Sequence, residues 1–222
     1  MTALTSWSPM FIEGLSVILV SGVVFAVGGT WWIINQRKPW RQVRKQVLLT
    51  TQNTVFGGLG TMVVAYLLNI GSGIPVLERT VTVFDRHSLP SVATMVRQTI
   101  LSALMFDVMF YVLHRLMHTP LAYRRFHRVH HEFRDHTPLA VGYVHPVDYF
   151  WVQIFPLLLS ARIQKGHLVS LLVAGGVAQA IAMLAHADYT LPLFMAHQGH
   201  HRSGKHNFGA VGIMDYMFGT LY

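Results

Sequence analysis

Fourteen histidines stand against nine acidic residues in this 222-residue sequence, and most of them fall in patterned groups between His114 and His206. His114 and His118 are four residues apart, which places both imidazoles on one face of a helix about one turn apart. His127, His130 and His131 form an H-x-x-H-H pattern, and His197, His200 and His201 repeat it. On a helix, i and i+3 of that pattern share a face while the adjacent histidine points about 100° away. One short helix can thus offer imidazoles to two neighbouring ions, and the pattern predicts a binuclear metal site. A lone histidine on a helix is more often structural than a ligand; three spaced clusters reverse that expectation.

Several further residues are candidates. Asp107 lies seven residues before His114, two turns up the same helical face, inside an otherwise apolar stretch. A carboxylate within a membrane is costly and usually functional. It is expected to accept a histidine N–H and so fix the tautomer that presents the other nitrogen to a metal; the alternative is an ion pair with Arg97 or Arg115. His186 is expected to be a ligand. His145 and His206 are expected either to be ligands or to support ligands by hydrogen bonding, whereas His87, His136 and His167 are given no role. The sequence has no cysteine, so a metal would be held by imidazole, carboxylate, backbone or water. In H-E-x-x-H peptidases the Glu is the general base, and Arg115 stands in that place here. All-imidazole ligation leaves Fe, Cu, Zn and Ni open.

The elements that must position these residues are apolar and long. A run from about Leu15 to Ile34 is followed by Arg37, Lys38, Arg41, Arg44 and Lys45. It is long enough to span a bilayer, and because its charges follow rather than precede it, it reads as a retained anchor with its N-terminus outside. A second run from about Val55 to Val76 returns, and a third, Thr99 to Leu116, comes back. After a polar histidine-rich stretch, two apolar segments follow, Tyr149 to Ala161 and Leu168 to Ala185. The first is short for a span, so the pair is expected to form a hairpin, or a re-entrant piece followed by a helix, with both ends on one side.

Composition agrees with a membrane as the solvent: 52% of residues are hydrophobic and 12% charged. The net charge of +8 does not suggest nucleic acid, since the cations flank apolar runs rather than line one polar helix. Twelve of the seventeen Lys and Arg fall on the face expected to carry the histidines, which puts that face in the cytoplasm. The expected fold is an all-α integral membrane protein with about four transmembrane helices, a short re-entrant or hairpin helix, and a cytoplasmic histidine-rich helical cap. Residues 1–98 are expected to form an N-terminal region of two spans and 99–222 a catalytic domain. No nucleotide-binding glycine pattern follows a strand signal, and no flavin or nicotinamide motif or haem-binding segment of the cytochrome b5 kind is visible.

At this point the sequence resembles the fatty acid hydroxylase and sterol desaturase superfamily, membrane di-iron oxygenases marked by H-x-x-x-H, H-x-x-H-H and H-x-x-H-H in order. The resemblance covers roughly Thr99 to Tyr222 and extends to YVLHRLMH at 111–118, YRRFHRVHHEF at 123–133, the pair His145-Pro146, and NFG with MDYMFGT at 207–220. It implies metal-ligand roles for His114, His118, His127, His130, His131, His197, His200 and His201, and similarly for His186. Where members often carry His, then Ala or Ser, then Asn, this chain has His186-Ala187-Asp188, and Asp188 joins the candidates for supporting a ligand. The resemblance further implies two iron ions, O2 as co-substrate, and a sterol or fatty acyl lipid that is hydroxylated or desaturated. It also implies a separate electron donor of cytochrome b5, ferredoxin or reductase type, and a site in the endoplasmic reticulum or a bacterial inner membrane. The rival reading is a haem-binding or metal-transporting membrane protein, which predicts ligands spread through the bilayer.

Overall fold

A computed structural model describes residues 2–69, 89–132, 137–187 and 192–222. Asp188, His87, His136 and the mixed segment around Glu78 to Arg86 lie outside the described residues. Among the described residues the chain is helical, without a β-strand. Helix α1 is Thr2–Asn35, α2 Trp40–Asn69, α3 Val92–Met117 and α4 Pro120–Arg125. A 3-10 helix, His127–Glu132, follows, then a second, Pro138–Val141. Helix α5 (Pro146–Asp148) passes through a π-helical turn, Tyr149–Ile154, into α6 (Phe155–Ile163). The remaining helices are α7 (Leu168–Ala185), α8 (Pro192–Ser203) and α9 (Ile213–Met217).

Four stretches are long and apolar enough to cross a membrane: Gly14–Asn35, Val43–Val64, Val92–Met117 and Leu168–Ala185. In hydrocarbon a helix satisfies every backbone polar group within one segment, so such runs fold helically whatever their intrinsic propensity. Helix α3 shows what the solvent is. Val96, Ile100, Leu104, Val108, Val112 and Leu116 recur every fourth residue along its exposed face, while Gln98, Ser102, Asp107 and His114 are buried. A helix with its apolar stripe outward and its polar stripe inward is arranged for lipid. Its start is capped by Ser91, whose hydroxyl accepts the Thr94 N–H.

Among the described residues the second crossing takes in Val43–Val64, beginning ahead of the expected start at Val55, while residues 70–76 of the expected run lie outside the described residues. Gln46, Thr50 and Asn53 would break a lipid-facing run, but all three are buried against protein. Thr50 donates to the Leu139 carbonyl, Asn53 donates to the carbonyls of Gly142 and Val144, and Gln46 accepts from Thr137. The polar face of α2 therefore grips residues 137–144, the approach to α5. Helices α1 and α2 pack closely at Gly14 and Gly58, where a Cβ on either would come within 3.0 Å of the other's carbonyl oxygen.

Residues 146–163 descend from the histidine end and α7 returns to it, as the hairpin reading expects. Tyr149, Ile154, Leu158, Ala161 and Leu171 form the core between the two limbs.

Candidate metal centre

The ends of these helices carry the histidines to one place. Helix α3 delivers His114 in its last turn and His118 at its C-terminal cap. The 3-10 helix after α4 delivers His127, His130 and His131, α7 ends at His186, and α8 carries His197, His200 and His201. They form two groups able to hold a metal ion: His114, His118, His127, His131 and His200 in one, and His130, His186, His197 and His201 in the other. Within each group the ligating nitrogens all lie within 4.8 Å of one another. The groups abut, with the His131 and His201 rings 4.6 Å apart.

The H-x-x-H-H patterns divide differently from the helical-face expectation. In both, i and i+4 join one group and i+3 crosses to the other: His127 and His131 against His130, and His197 and His201 against His200. The two patterns make opposite assignments, so each contributes to both groups.

Hydrogen bonds fix the tautomers of four rings. His114 Nδ1–H donates to the Phe208 carbonyl at 2.7 Å, His127 Nδ1–H to Asp148 at 2.7 Å, His186 Nδ1–H to the Ala182 carbonyl at 2.8 Å, and His200 Nδ1–H to the His206 carbonyl at 2.7 Å. Each Nε2 is left as a lone pair. His114 Nε2 and His127 Nε2 then face each other at 3.2 Å, with no proton between them when both rings are neutral, and the buried His200 Nε2 has no hydrogen-bond partner. In the second group His186 Nε2 lies 3.0, 3.1 and 3.5 Å from the Nε2 atoms of His197, His201 and His130. Two nitrogens bound about 2.1 Å from one ion at angles near 90–110° sit roughly 3.0–3.4 Å apart. Converging lone pairs at that spacing repel one another unless a cation sits between them, so the residues fit a bound metal in both groups.

Burial, followed by the neighbouring imidazoles, lowers the pKa of His118 to about 2 and that of His131 to about 3. Burial lowers His200 to about 4 against the opposing pull of the His206 carbonyl. His130, His197 and His201 are also held well below the usual value, with burial the largest cause. All six are neutral near neutral pH, the form a metal ligand requires.

Asp107 is placed differently from the expectation. Its carboxylate meets neither a histidine nor an arginine but accepts the backbone N–H groups of Val211, Gly212 and Met214. The carboxylate that accepts from a histidine is Asp148, at the end of the polar histidine-rich stretch, to which no role was assigned from sequence. The available signal was a charge at the mouth of a buried hairpin. Asp215, also unforeseen, accepts from the N–H groups of Phe208 and Gly209 and the hydroxyl of Thr220. Together the two aspartates hold residues 206–220 as a strap whose carbonyls orient His114 and His200. Gly209 sits where a Cβ would press on both carboxylates.

His145 joins neither group; its Nδ1 accepts the Val147 N–H and caps α5. His206 contributes its carbonyl rather than its ring, which stacks on Tyr222. His167, given no role, caps α7 through Nδ1.

A cavity of about 360 Å³, mostly apolar, begins beside the second group at His130, His186 and His197 and runs between α1, α3 and α7. It reaches Thr99 and Ser102, and the strap closes its histidine end with Val211 and Gly212.

Comparison with known proteins accords with this geometry. The chain is 32% identical to a fatty acid hydroxylase of Mycosarcoma maydis over 60% of its own length and 36% of that protein's. It is 28% identical to fatty acid hydroxylase domain-containing protein 2 of Homo sapiens, over 61% of this chain and 41% of that one. Methylsterol monooxygenase 2-2 of Arabidopsis thaliana is 24% identical over 97% of this chain and 88% of its own length. The match thus spans well under half of the first two relatives. No solved structure is significantly similar to the chain. The model of the fatty acid hydroxylase family matches residues 99–220, more than half of the chain and the stretch supplying all nine convergent histidines, and the chain belongs to that family.

Proposed function

We propose that this chain is an O2-dependent di-iron membrane oxygenase that hydroxylates or desaturates a lipid of sterol or fatty acyl type. The observation that carries this reading is the pair of abutting all-histidine groups at the end of a mostly apolar cavity. Two iron ions, one per group, would activate O2 as the oxidant that removes hydrogen from an unactivated C–H bond. His114, His118, His127, His131 and His200 would hold one, and His130, His186, His197 and His201 the other.

The chain's own residues do the rest. Asp148 and the carbonyls of Phe208, His206 and Ala182 hold four imidazoles in the ligating tautomer. The apolar cavity wall excludes water and aligns a lipid chain, bringing one carbon to the histidine end. Hydroxylation balances as O2, two electrons and two protons consumed, one oxygen atom placed on carbon and the other leaving as water; desaturation consumes the same and removes a second hydrogen instead, both oxygen atoms leaving as water. No described element supplies the electrons, so a separate donor of cytochrome b5, ferredoxin or reductase type is part of the proposal. In this reading residues 1–98 anchor the chain, 99–222 carry the catalysis, and the histidine face is cytoplasmic, where a donor meets basic residues such as Arg128 and Arg202. A haem or ion-transport role is disfavoured because the histidines gather at one end of the helices rather than along them.

Metal analysis and iron spectroscopy on detergent-purified protein, beside His130→Ala and His200→Ala, test the proposal. One iron in each group, diminished in either variant, is the expected result; haem, or a metal content indifferent to both substitutions, overturns it.

A further inference from the structure

The far end of the cavity holds a polar group without a partner. Thr99 lines the cavity, and its hydroxyl is buried with no hydrogen-bond partner. Other helix threonines here settle that demand locally: Thr51, Thr54 and Thr61 each donate to the carbonyl four residues back. Beside it, the cavity-lining Ser102 accepts from Gln164 Nε2, which leaves the serine's own proton to donate. A polar group buried in hydrocarbon without a partner is unfavourable, so this pair is built for an occupant that hydrogen-bonds. Away from the histidine end, Gln153 and Gln179 on the wall donate to the carbonyls of Val141 and Ser21, and Asn207 donates to that of Tyr222.

We propose that Thr99 and Ser102 bind the hydroxyl group of an uncharged, single-headed lipid whose far end reaches the histidine groups. Among the described residues no lysine or arginine lines the cavity, so a carboxylate or phosphate head finds no countercharge from them, whereas a hydroxyl both donates and accepts. Ser102 and Thr99 precede His114 by 12 and 15 residues on one helix, about 18–22 Å at ~1.5 Å per residue. That length takes roughly 14–18 carbons of an extended chain with C–C bonds of ~1.5 Å. Ala103 on α3 and Val177 and Ile181 on α7 line the cavity and are also exposed on the membrane-facing surface, which gives a lipid a sideways entrance. The lipid enters sideways between α3 and α7, and the carbon attacked lies far from the hydroxyl rather than beside it. The position of attack rests on the oxygenase reading; the hydroxyl subsite does not.

The test uses the full chain in lipid nanodiscs, loaded with iron, and tritiated 1-hexadecanol, with hexadecyl methyl ether and palmitate as competitors. The alcohol is expected to bind roughly 5- to 30-fold more tightly than the ether, the worth of one or two hydrogen bonds. Thr99→Val with Ser102→Ala is expected to abolish that preference without altering iron content or ether affinity, and Thr99→Ser to retain it. A hexadecanol bearing a diazirine on its terminal carbon should label residues 207–215. Equal binding of alcohol and ether by the unmodified chain, a preference for palmitate, or labelling at 99–106 overturns the proposal. An intact alcohol preference with no lipid product from any substrate would instead count against the oxygenase reading alone, and product formation without the preference against the subsite alone.

Discussion

The two histidine groups are made from the same patterns yet held differently. In the first, His114, His127 and His200 each donate Nδ1–H to an acceptor from another element, and two of those acceptors lie on the strap. In the second, His186 is anchored to a carbonyl of its own helix, and His130, His186 and His197 border the cavity. The first group is fixed from outside by tertiary contacts; the second faces the space where a substrate would lie. The contrast teaches that one histidine pattern can serve a supported position and an exposed one, because i+3 and i+4 leave the same short helix toward different neighbours.

The largest expected effect comes from severing the groups themselves. His200→Ala and His130→Ala should each lower metal content by at least half, with product formation falling by more than roughly 100-fold, since ligand loss should exceed the 10- to 100-fold effect of losing a ligand's hydrogen-bonding support. Metal analysis and lipid-product profiling read both. If each loss is confined to one metal, the groups are independent; if both metals leave together, the crossed patterns bind cooperatively.

Asp148→Asn keeps the shape but weakens the acceptor for His127. Affinity at the first group should fall roughly 10- to 100-fold while the second is unchanged, as read by chelator competition. An equal fall at both would erase the distinction drawn above.

Asp107→Ala leaves three backbone N–H groups without their acceptor, each worth about 1–3 kcal/mol when buried. Hydrogen exchange should report opening of 206–222, and the first group should loosen through His114 and His200 before the second does.

Acid should act on the metal-free chain in a defined direction. His118, His131 and His200 are neutral when folded, with pKa values of about 2, 3 and 4, and regain the usual value of 6.5 on unfolding. Below about pH 6.5 the unfolded chain binds more protons, so stability is full above that pH and falls as pH drops toward 4. Thermal melts from pH 7.5 to 4.5 should show a falling Tm; a flat profile would mean the rings are already solvated. His145→Ala gives the smallest effect, the loss of one cap worth about 0.5–2 kcal/mol, with metal content intact.

Several features were legible in the sequence for simple reasons. Apolar runs of sufficient length must be helices in lipid, and repeated spacing of costly residues marks a shared task, so four spans and nine histidines could be named without coordinates. The polar face of α2 was not legible, because Gln46, Thr50 and Asn53 look lipid-breaking until residues 137–144 cover them. Asp107 stands out in the sequence by its cost, but its partners lie more than a hundred residues away and are backbone N–H groups that no side-chain pattern announces.

The sequence by itself determined that this chain is helical, built for a membrane and rich in imidazole at helix ends, because composition and spacing act locally. Only the tertiary structure decided which histidine joins which group, which carboxylate holds a histidine and which a strap, and where the cavity keeps its unpartnered hydroxyl. Those choices depend on distances between elements far apart in the chain, and local periodicity carries no information about them.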